Sequence, residues 1–522
     1  MAVDLEIAVR KVVSTNPATG AVLAETDCAT DAEVEQAVGR ARAAQPEWAA
    51  LGVSKRIAVL REFQGRLHQQ KAEVGQLITR EAGKPYAEAL LTEVMVVLDA
   101  SRFLIEHARR FLRDQQVPHG NLAMKVKAGK ILREPHGVIG IVSPWNYPFS
   151  IPAVEALGAL VTGNAVVLKP SEFTTLVAKE LESLLLGAGV PPEVFQVLPG
   201  DGTTGAALVQ SPIDKLVFTG SVPTGKKIAQ AAAARMLPVL LELGGKDPML
   251  VLEDADVDVA SSAAVWGAFV NAGQACLSME RCYVHQSLYQ KFLTACVAKA
   301  ARLRVGNGME AETDVGPMIH ERQLRIVEAQ VEEAREMGAR LLAGGVRLTE
   351  LGPNFYAPTV LADATHAMRV MREETFGPVL PVAAFSSEEE AIQLANDSEF
   401  GLAASVWTRD TERGEALARR IVAGTVMIND AVTCFGISEA PHGGVKASGV
   451  GRAHGHLGLQ EMVRVKYLDI DRLPRLKKIW WYGYGEAFTR QMEAFVDLQF
   501  ARSWGARLRA LKTAAGAARR KL

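Results

Sequence analysis

The sequence predicts an α/β protein with two sheet-containing domains, and three observations carry that prediction. A helical lead occupies the first 110 residues, and two successive series of short apolar runs alternate with helical stretches after it. In the lead, 31-DAEVEQAVGRARAAQPEW, 55-KRIAVLREFQGRLHQQKAEVGQLITREAG and 86-YAEALLTEVMVVLDASRFLIEHARRFL place apolar residues at three- and four-residue spacing with charges between, the pattern of amphipathic helices. From 138 to 213 the runs VIGIVS, NAVVLKP and VFQVLPG, followed by KLVFTG, each end in Gly, Pro or Ser before a helix-like segment. That alternation predicts a parallel sheet of strand–helix–strand units. A second series runs from PVLLELGG and PMLVLED through RCYVH, APTVLAD and PVLPVAAF to ASVWTRD and GTVMIND. The change of series near Gly244 predicts a cleft between two α/β domains.

Composition narrows the function classes. The chain has 522 residues with 48% hydrophobic and 22% charged side chains, which excludes a disordered tail, a collagen-like fibre and a disulfide-stapled miniprotein. At about 150 residues per domain, roughly three domains are expected. Lys plus Arg number 58 and Asp plus Glu 59, a net charge of −1, which argues against a nucleic-acid partner. The five cysteines (Cys28, Cys276, Cys282, Cys296, Cys434) are scattered, with no CxxC pair or Cys/His cluster, so neither a disulfide framework nor a bound metal is expected. The opening MAVDLEIAVRKVV lacks a small-residue cleavage site, and Glu155, Gly158, Gly163 and Asn164 interrupt the apolar segment 151–168. A cytoplasmic chain without a signal peptide or membrane span is therefore expected. The neutral total hides a split: residues 471–522 hold twelve Lys/Arg against four Asp/Glu, a net of +8, leaving −9 on the body.

Three glycine patterns compete as nucleotide loops. The first, 200-GDGTTG, is a literal GxGxxG after a strand-like run, but Gly220 stands where an acid about 20 residues on should hold a ribose; a plain turn into a helix reads it equally. The second, 220-GSVPTGK, continues with Lys227 where a Walker loop needs Ser or Thr. Ser221 and Pro223 nonetheless suit the start of a helix whose free N–H groups would favour a pyrophosphate. The third, 167-VLKPSE, offers Lys169 and Glu172 at a strand's carboxyl end, where open α/β sheets bind ligands. An acid there holds ribose hydroxyls and repels a 2′-phosphate; alone, it also reads as a solvated loop.

Three further residues form a chemical set. Cys276 lies in 271-NAGQACLSMER, Glu242 in the apolar 240-LLELGGK, and Asn146 in 143-SPWNYPFS. A lone Cys is commonly an inert, buried small hydrophobe. A buried acid, by contrast, needs a reason, because desolvation is costly and raises its pKa. Together they make a thiol nucleophile, a carboxylate base and an amide donor.

The segments SPWNYP, VLKPSE, FTGSVPTG, LELGGKDP, NAGQAC, EETFGPV and PHGGVKASGVGR resemble, in order and approximate spacing, those of the NAD(P)-dependent aldehyde dehydrogenase superfamily. The match spans roughly residues 10 to 470. The resemblance implies a Rossmann-like cofactor domain (1–120 and 136–243), an α/β catalytic domain (244–445) and a small β oligomerisation arm (121–135 and 446–471), followed by a basic aromatic extension (472–522). By position the arm is a strand pair near 122–134 plus a strand near 462–471, and a homodimer or homotetramer is implied. Cys276 resembles the nucleophile that forms a thiohemiacetal and then a thioester. Asn146 with the Cys276 backbone N–H resembles the oxyanion hole, and Glu242 the base that activates water for hydrolysis. Lys169 and Glu172 resemble the adenosine-ribose contacts, Gly220 and Ser221 the pyrophosphate helix start, and Trp145, Glu374 and Phe376 further cofactor contacts. GDGTTG would border the adenine end. Glu172 favours NAD, with NADP also possible. Because CoA-acylating relatives lack the base, Glu242 implies a free acid as product. A catalytically silent scaffold would have lost Cys276, Glu242 or Asn146, and all three are present.

Substrate choice rests on fewer residues. Succinate-semialdehyde members often carry an Arg where Val270 stands, which disfavours a short acidic semialdehyde. Val154 replaces a bulky aromatic of the substrate tunnel, implying a wider channel, and Tyr147 and Phe435 are expected to line it. That wall suits an apolar aliphatic or aromatic aldehyde. His442 stands where many members have Phe beside the thiol. It either replaces the ring's packing or tunes polarity for an amino-aldehyde. In the extension, Phe488, Met492, Val496, Phe500, Trp504 and Leu508 recur every four residues, a stripe that drifts about 40° per step on a straight helix. The helix therefore bends, with Gly505 a candidate position, or wraps a curved surface. With Arg519, Arg520 and Lys521 behind it, the stripe suits packing on its own oligomer or peripheral contact with an anionic membrane.

Overall fold

The computed structural model describes residues 10–478 and 480–518. The first nine residues and Arg519, Arg520 and Lys521 lie outside the described residues, so the leader and basic-end expectations that fall on them are not addressed. The chain forms two compact units, one of residues up to 111 plus 135–464, the other of 112–134 and 465 onward.

In the first unit the helical lead is present with two refinements. The helix Asp31–Ala50 starts in a capping box, Thr30 accepting from the Glu33 N–H and Glu33 reaching back to the Thr30 N–H. The second pattern is two helices, Val53–Gln69 and Lys71–Ala82, because Gln70 leaves helical geometry (φ −96°, ψ 14°). The third contains a π turn, Leu90–Val94, ahead of Met95–Phe111; such turns cluster at functional sites. A hairpin of Lys11–Thr15 and Val22–Asp27 precedes them, which the helical reading of this region passed over.

Two sheets follow. In the first, the order is Gly449–Val450, Val239–Glu242, Lys215–Thr219, Val138–Val142, Ala165–Lys169, Phe195–Val197, parallel except for the two-residue edge strand. Strand order reverses between Val138–Val142 and Lys215–Thr219, so a crevice opens outside their carboxyl ends. The second sheet runs Arg340–Ala343, Thr359–Ala362, Val379–Phe385, Met279–His285, Asp247–Val251, Ala403–Trp407, Thr425–Ile428, parallel apart from its first pair. Fully buried strands such as Ala165–Lys169 and Asp247–Val251 explain the near-continuous apolar runs. One expectation is corrected. PVLLELGG does not open the second series, since Val239–Glu242 pairs in parallel with Lys215–Thr219 of the first sheet. The chain changes sheets within the four residues after Glu242.

The second unit holds a three-stranded sheet in the order Val463–Asp471, Lys127–Pro135, Gln115–Val117. Its boundaries differ from those expected for the arm. Residues 122–124 form a short 3-10 turn, a strand forms earlier at 115–117, and 449–450 pairs in the first sheet instead. The extension is a helical hairpin, Glu486–Phe500 and Trp504–Ala518. The break comes at Ala501 (ψ 136°) rather than Gly505, with Arg507 Nε donating to the Ala501 carbonyl at 2.7 Å. Breaking there resolves the drifting stripe: Ala494 and Ala510 are buried, while Val496, Phe500, Trp504 and Leu508 stay exposed. No helix among the described residues is long and apolar enough to cross a membrane.

Candidate active site

The crevice gathers residues that follow strands of the first sheet and residues that precede strands of the second. Trp145 and Asn146 follow Val138–Val142, Lys169 ends its strand, Gly220 and Ser221 follow Lys215–Thr219, and Glu242 ends Val239–Glu242. Cys276 precedes Met279–His285, and Glu374 and Phe376 precede Val379–Phe385. The two sets meet where Trp145 packs edge-on against Phe376, ring centroids 5.3 Å apart.

Cys276 sits on a strained loop. Asn271, Ala272 and Gly273 all have positive φ (53°, 54° and 71°), a cluster of the kind that persists only when its surroundings enforce it. A Cβ on Gly273 would lie 2.0 Å from the Gly377 carbonyl, so only glycine fits. The Asn271 N–H donates to Glu88 at 2.9 Å, and its side-chain amide donates to the Asn146 and Gln274 carbonyls at 2.9 and 3.1 Å. The Gln274 side chain donates to the Asn271 carbonyl and accepts from the Ile319 N–H. Asn146 Nδ2 donates to the Gln274 carbonyl at 3.1 Å, which leaves its second N–H for a substrate oxygen.

Two buried ion pairs, neither singled out from sequence, hold this frame. Lys84 Nζ donates to Glu93 and to the Asn146 carbonyl, both at 2.7 Å, and lies 3.8 Å over the Tyr147 ring. Glu93, on the π turn, also accepts from the Phe149 and Ser150 N–H groups. Lys246 Nζ donates to Glu280 and to the Thr375 hydroxyl, and Glu280 accepts from the Thr375 and Phe376 N–H groups at 2.8 and 2.9 Å. That pair fixes Phe376 at φ 52°. Lys246 lies inside LELGGKDP, four residues after Glu242.

Burial raises the proton affinity of both the thiol and the carboxyl. Burial, then the Asp247, Glu374 and Glu242 carboxyls, push the Cys276 thiol well above its usual range. Burial, then Glu155, does the same to Glu242. Neither Glu242 oxygen makes a hydrogen bond of normal geometry among the described residues. Gly443 leaves room beside it, since a Cβ there would lie 2.8 Å from Glu242 Oε1. His442 Nε2 is 4.0 Å from Glu242 Oε2. Burial, with His454 and Arg452 behind it, holds His442 at about 3, so this is a neutral imidazole beside the acid.

Two cavities meet at Cys276. A tunnel of about 420 Å³ is walled by Tyr147, Ile151, Trp266, Val270 and Phe435. Its one charged lining residue, Asp99, is paired with Arg102 at 2.6 Å. A smaller cavity of about 30 Å³ contains Glu242, Glu155, Val154 and His442. Tyr147 and Phe435 line the tunnel, Phe435 bordering the smaller cavity as well, while of these two cavities Val154 and His442 line only the smaller one. Ile151, almost one turn earlier on the helix Ser150–Thr162, forms the tunnel wall in place of Val154.

The nucleotide-loop candidates separate on geometry. At GDGTTG, Asp201 caps its own helix and is held at about 2 by a hydrogen bond from Arg10, so that N-terminus already has its anion. Gly205 of the same helix packs near Lys169, which makes the segment a neighbour of the cofactor crevice. By contrast, no side chain caps the helix Val222–Ala233, and Ser221 Oγ instead meets Thr224 Oγ1 at 3.1 Å. Its first-turn N–H groups suit a pyrophosphate. Gly225 is explained by packing, because a Cβ would strike Leu243 at 2.5 Å. Lys169 Nζ lies 3.6 Å from the half-exposed Glu172. Glu374 accepts from the Gly245 N–H at 3.2 Å, and burial pushes it up to about 8. No group of His, Cys, Asp and Glu among the described residues is arranged to hold a metal ion.

This combination of crevice, thiol loop and buried carboxyl is that of an oxidoreductase acting on aldehydes. The Aldehyde dehydrogenase family matches residues 6–468, and the chain belongs to that family. It is 40% identical over 488 residues to a 4,4'-diapolycopene aldehyde oxidase of Methylomonas sp, covering 93% of this chain and 91% of that one. It is also 40% identical over 462 residues to a betaine aldehyde dehydrogenase of Cereibacter sphaeroides, covering 88% and 93%. Among solved structures, the NAD+ complex of an aldehyde dehydrogenase from Bacillus cereus superposes with a TM-score of 0.85 at 36% identity, covering 88% and 93%.

Proposed function

We propose that the protein oxidises an apolar aliphatic or aromatic aldehyde to the free carboxylic acid, with NAD or NADP as hydride acceptor and without acyl transfer to CoA. The observation that carries this reading is the apolar tunnel ending on Cys276. It offers no cation for a semialdehyde carboxylate, and its single acid is already paired. Similarity to a diapolycopene aldehyde oxidase supports the same choice.

The thiol loses its proton and attacks the aldehyde carbon, while the Asn146 amide and the Cys276 backbone N–H hold the developing alkoxide. A bound nicotinamide cofactor would supply the hydride acceptor that turns the Cys276 thiohemiacetal into a thioester. The open start of Val222–Ala233 suits its pyrophosphate, Lys169 and Glu172 its adenosine ribose, and Trp145, Glu374 and Phe376 its nicotinamide end. Glu242 then removes a proton from the water that attacks the thioester. Rates of NADH formation over aldehydes of increasing chain length test the reading. Specificity constants should rise with length, by at most about fourfold per buried methylene. A preference for betaine aldehyde or a short semialdehyde would sink the substrate assignment.

A further inference from the structure

The small cavity behind Cys276 buries more polar atoms than thioester hydrolysis requires. Cys276, Glu242, Glu155, Thr219, His442 and His454 line it. Thr219 is the register partner of Glu242 across adjacent strands, and its hydroxyl donates to Glu155 Oε1 at 3.1 Å. The two carboxyls are thus one residue apart in space. A further cavity of about 40 Å³ shares Val154, Glu155, Ala453 and His454 with the first and extends between the helices Ser150–Thr162 and Met95–Phe111 to Ser438 and Met462. Glu155 Oε2, both Glu242 oxygens, His442 Nδ1, both His454 nitrogens and Ser438 Oγ make no hydrogen bond of normal geometry to any described residue. Buried polar atoms are rarely left so. The cavities, of about 30 and 40 Å³, each exceed the roughly 10–15 Å³ that a water needs, and their walls offer the partners a water needs.

The reaction supplies a reason for such a water file. Aldehyde, water and the oxidised cofactor give carboxylate, the reduced cofactor and two protons. One proton leaves the thiol as the C–S bond forms. The other leaves water for Glu242 as the new C–O bond forms and the C–S pair returns to sulfur, and the acid's remaining O–H proton restores the thiol as the carboxylate is released. Glu242 is 7% exposed and must shed its proton before it can serve again.

We propose that Glu155, His442 and His454, joined by water in the two cavities, carry that proton from Glu242 away from the thiol. In each transfer one O–H or N–H bond breaks as the next forms, so no charge accumulates. Burial pushes Glu155 up to about 8, which lets it exchange protons near neutrality. Burial holds His454 at about 4 and His442 lower still, so each imidazole passes a proton in at one nitrogen and out at the other. Arg452 and Glu461 also act on Glu242, with opposite signs. Glu155, His442 and His454 are positioning residues that act through the base, and the inference rests on the hydrolytic reading above.

The test compares wild-type enzyme with Glu155→Gln, Glu155→Asp and His454→Leu, following first-turnover NADH by rapid mixing and later turnovers with a pH-indicator dye. In Glu155→Gln the first turnover should keep its wild-type rate, while steady-state turnover and proton release fall about tenfold or more. Imidazole buffer and the Asp variant should each restore part of that loss. Steady-state rates unchanged in both Glu155→Gln and His454→Leu would overturn the relay. So would equal loss of first and later turnovers without imidazole rescue, which marks a structural role. An acid limb moved to lower pH with an undiminished plateau would also overturn it, because that reports only a removed charge. Absence of NADH in wild type with every aldehyde strikes the proposed function itself, whereas a normal first turnover confines any failure to the relay.

Discussion

The two cavities that meet at Cys276 are made of opposite materials. The small one is walled by strand ends and by polar residues of the helix Ser150–Thr162 and nearby loops: Thr219 and Glu242 are cross-strand neighbours, and Glu155 on that helix is tied to Thr219. The tunnel is walled by a π turn, a helix face and the loop around residues 432–437, with Leu91, Met95 and Ile437 exposed at its rim. Glu242 is set by sheet register, where a shift of one residue would reverse every side chain, while Glu155 is held on the helix Ser150–Thr162 and tied to Thr219 by its hydrogen bond. Groups that select the aldehyde sit on segments that change at low structural cost. Chemistry and specificity are thereby separable within one site.

That separation can be broken from either side. The largest expected effect is at the base: Glu242→Gln should allow one turnover of NADH per thiol and then slow by about 100- to 10,000-fold. A multiple-turnover rate equal to wild type would remove Glu242 from the mechanism. A smaller effect is expected at the rim. Met95→Asp adds a charge at an exposed tunnel residue and should lower the specificity constant for long apolar aldehydes about tenfold. Two-carbon aldehydes should be unaffected, and equal losses for both would show that the tunnel does not sort by length.

A third effect concerns stability. Glu155 sits at about 8 in the folded protein against 4.5 as its ordinary value. The folded state therefore binds more protons than the unfolded state between those values, and stability falls as pH rises through that window. Glu155→Gln lacks this contribution. Unfolding free energies from urea titrations should shift in the variant's favour between pH 5 and pH 8 by about 3 kcal/mol at most, and parallel curves would show that Glu155 titrates normally.

Much of the site was legible because its residues stand at strand ends, where Gly, Pro and polar residues interrupt apolar runs. VLKPSE, FTGSVPTG and LELGGKDP each mark such an end. What escaped were the partners of those residues. Lys84 with Glu93 and Lys246 with Glu280 read from sequence as ordinary charges, since burial belongs to packing. Val154 and His442 were expected by the tunnel from the positions the family resemblance assigns them, yet the helix and loop carrying them turn them to the smaller cavity, which also reaches Cys276.

By itself the sequence determined the alternation of strands and helices, the candidate thiol, carboxyl and amide of Cys276, Glu242 and Asn146, and a basic extension on an acidic body, because these follow from local periodicity, side-chain chemistry and charge. Only the tertiary structure decided that Val239–Glu242 closes the first sheet, that the extension folds back at Ala501, and that Glu155 and His454 stand behind the base. Those outcomes depend on pairing and packing between residues distant in sequence, which no local pattern encodes.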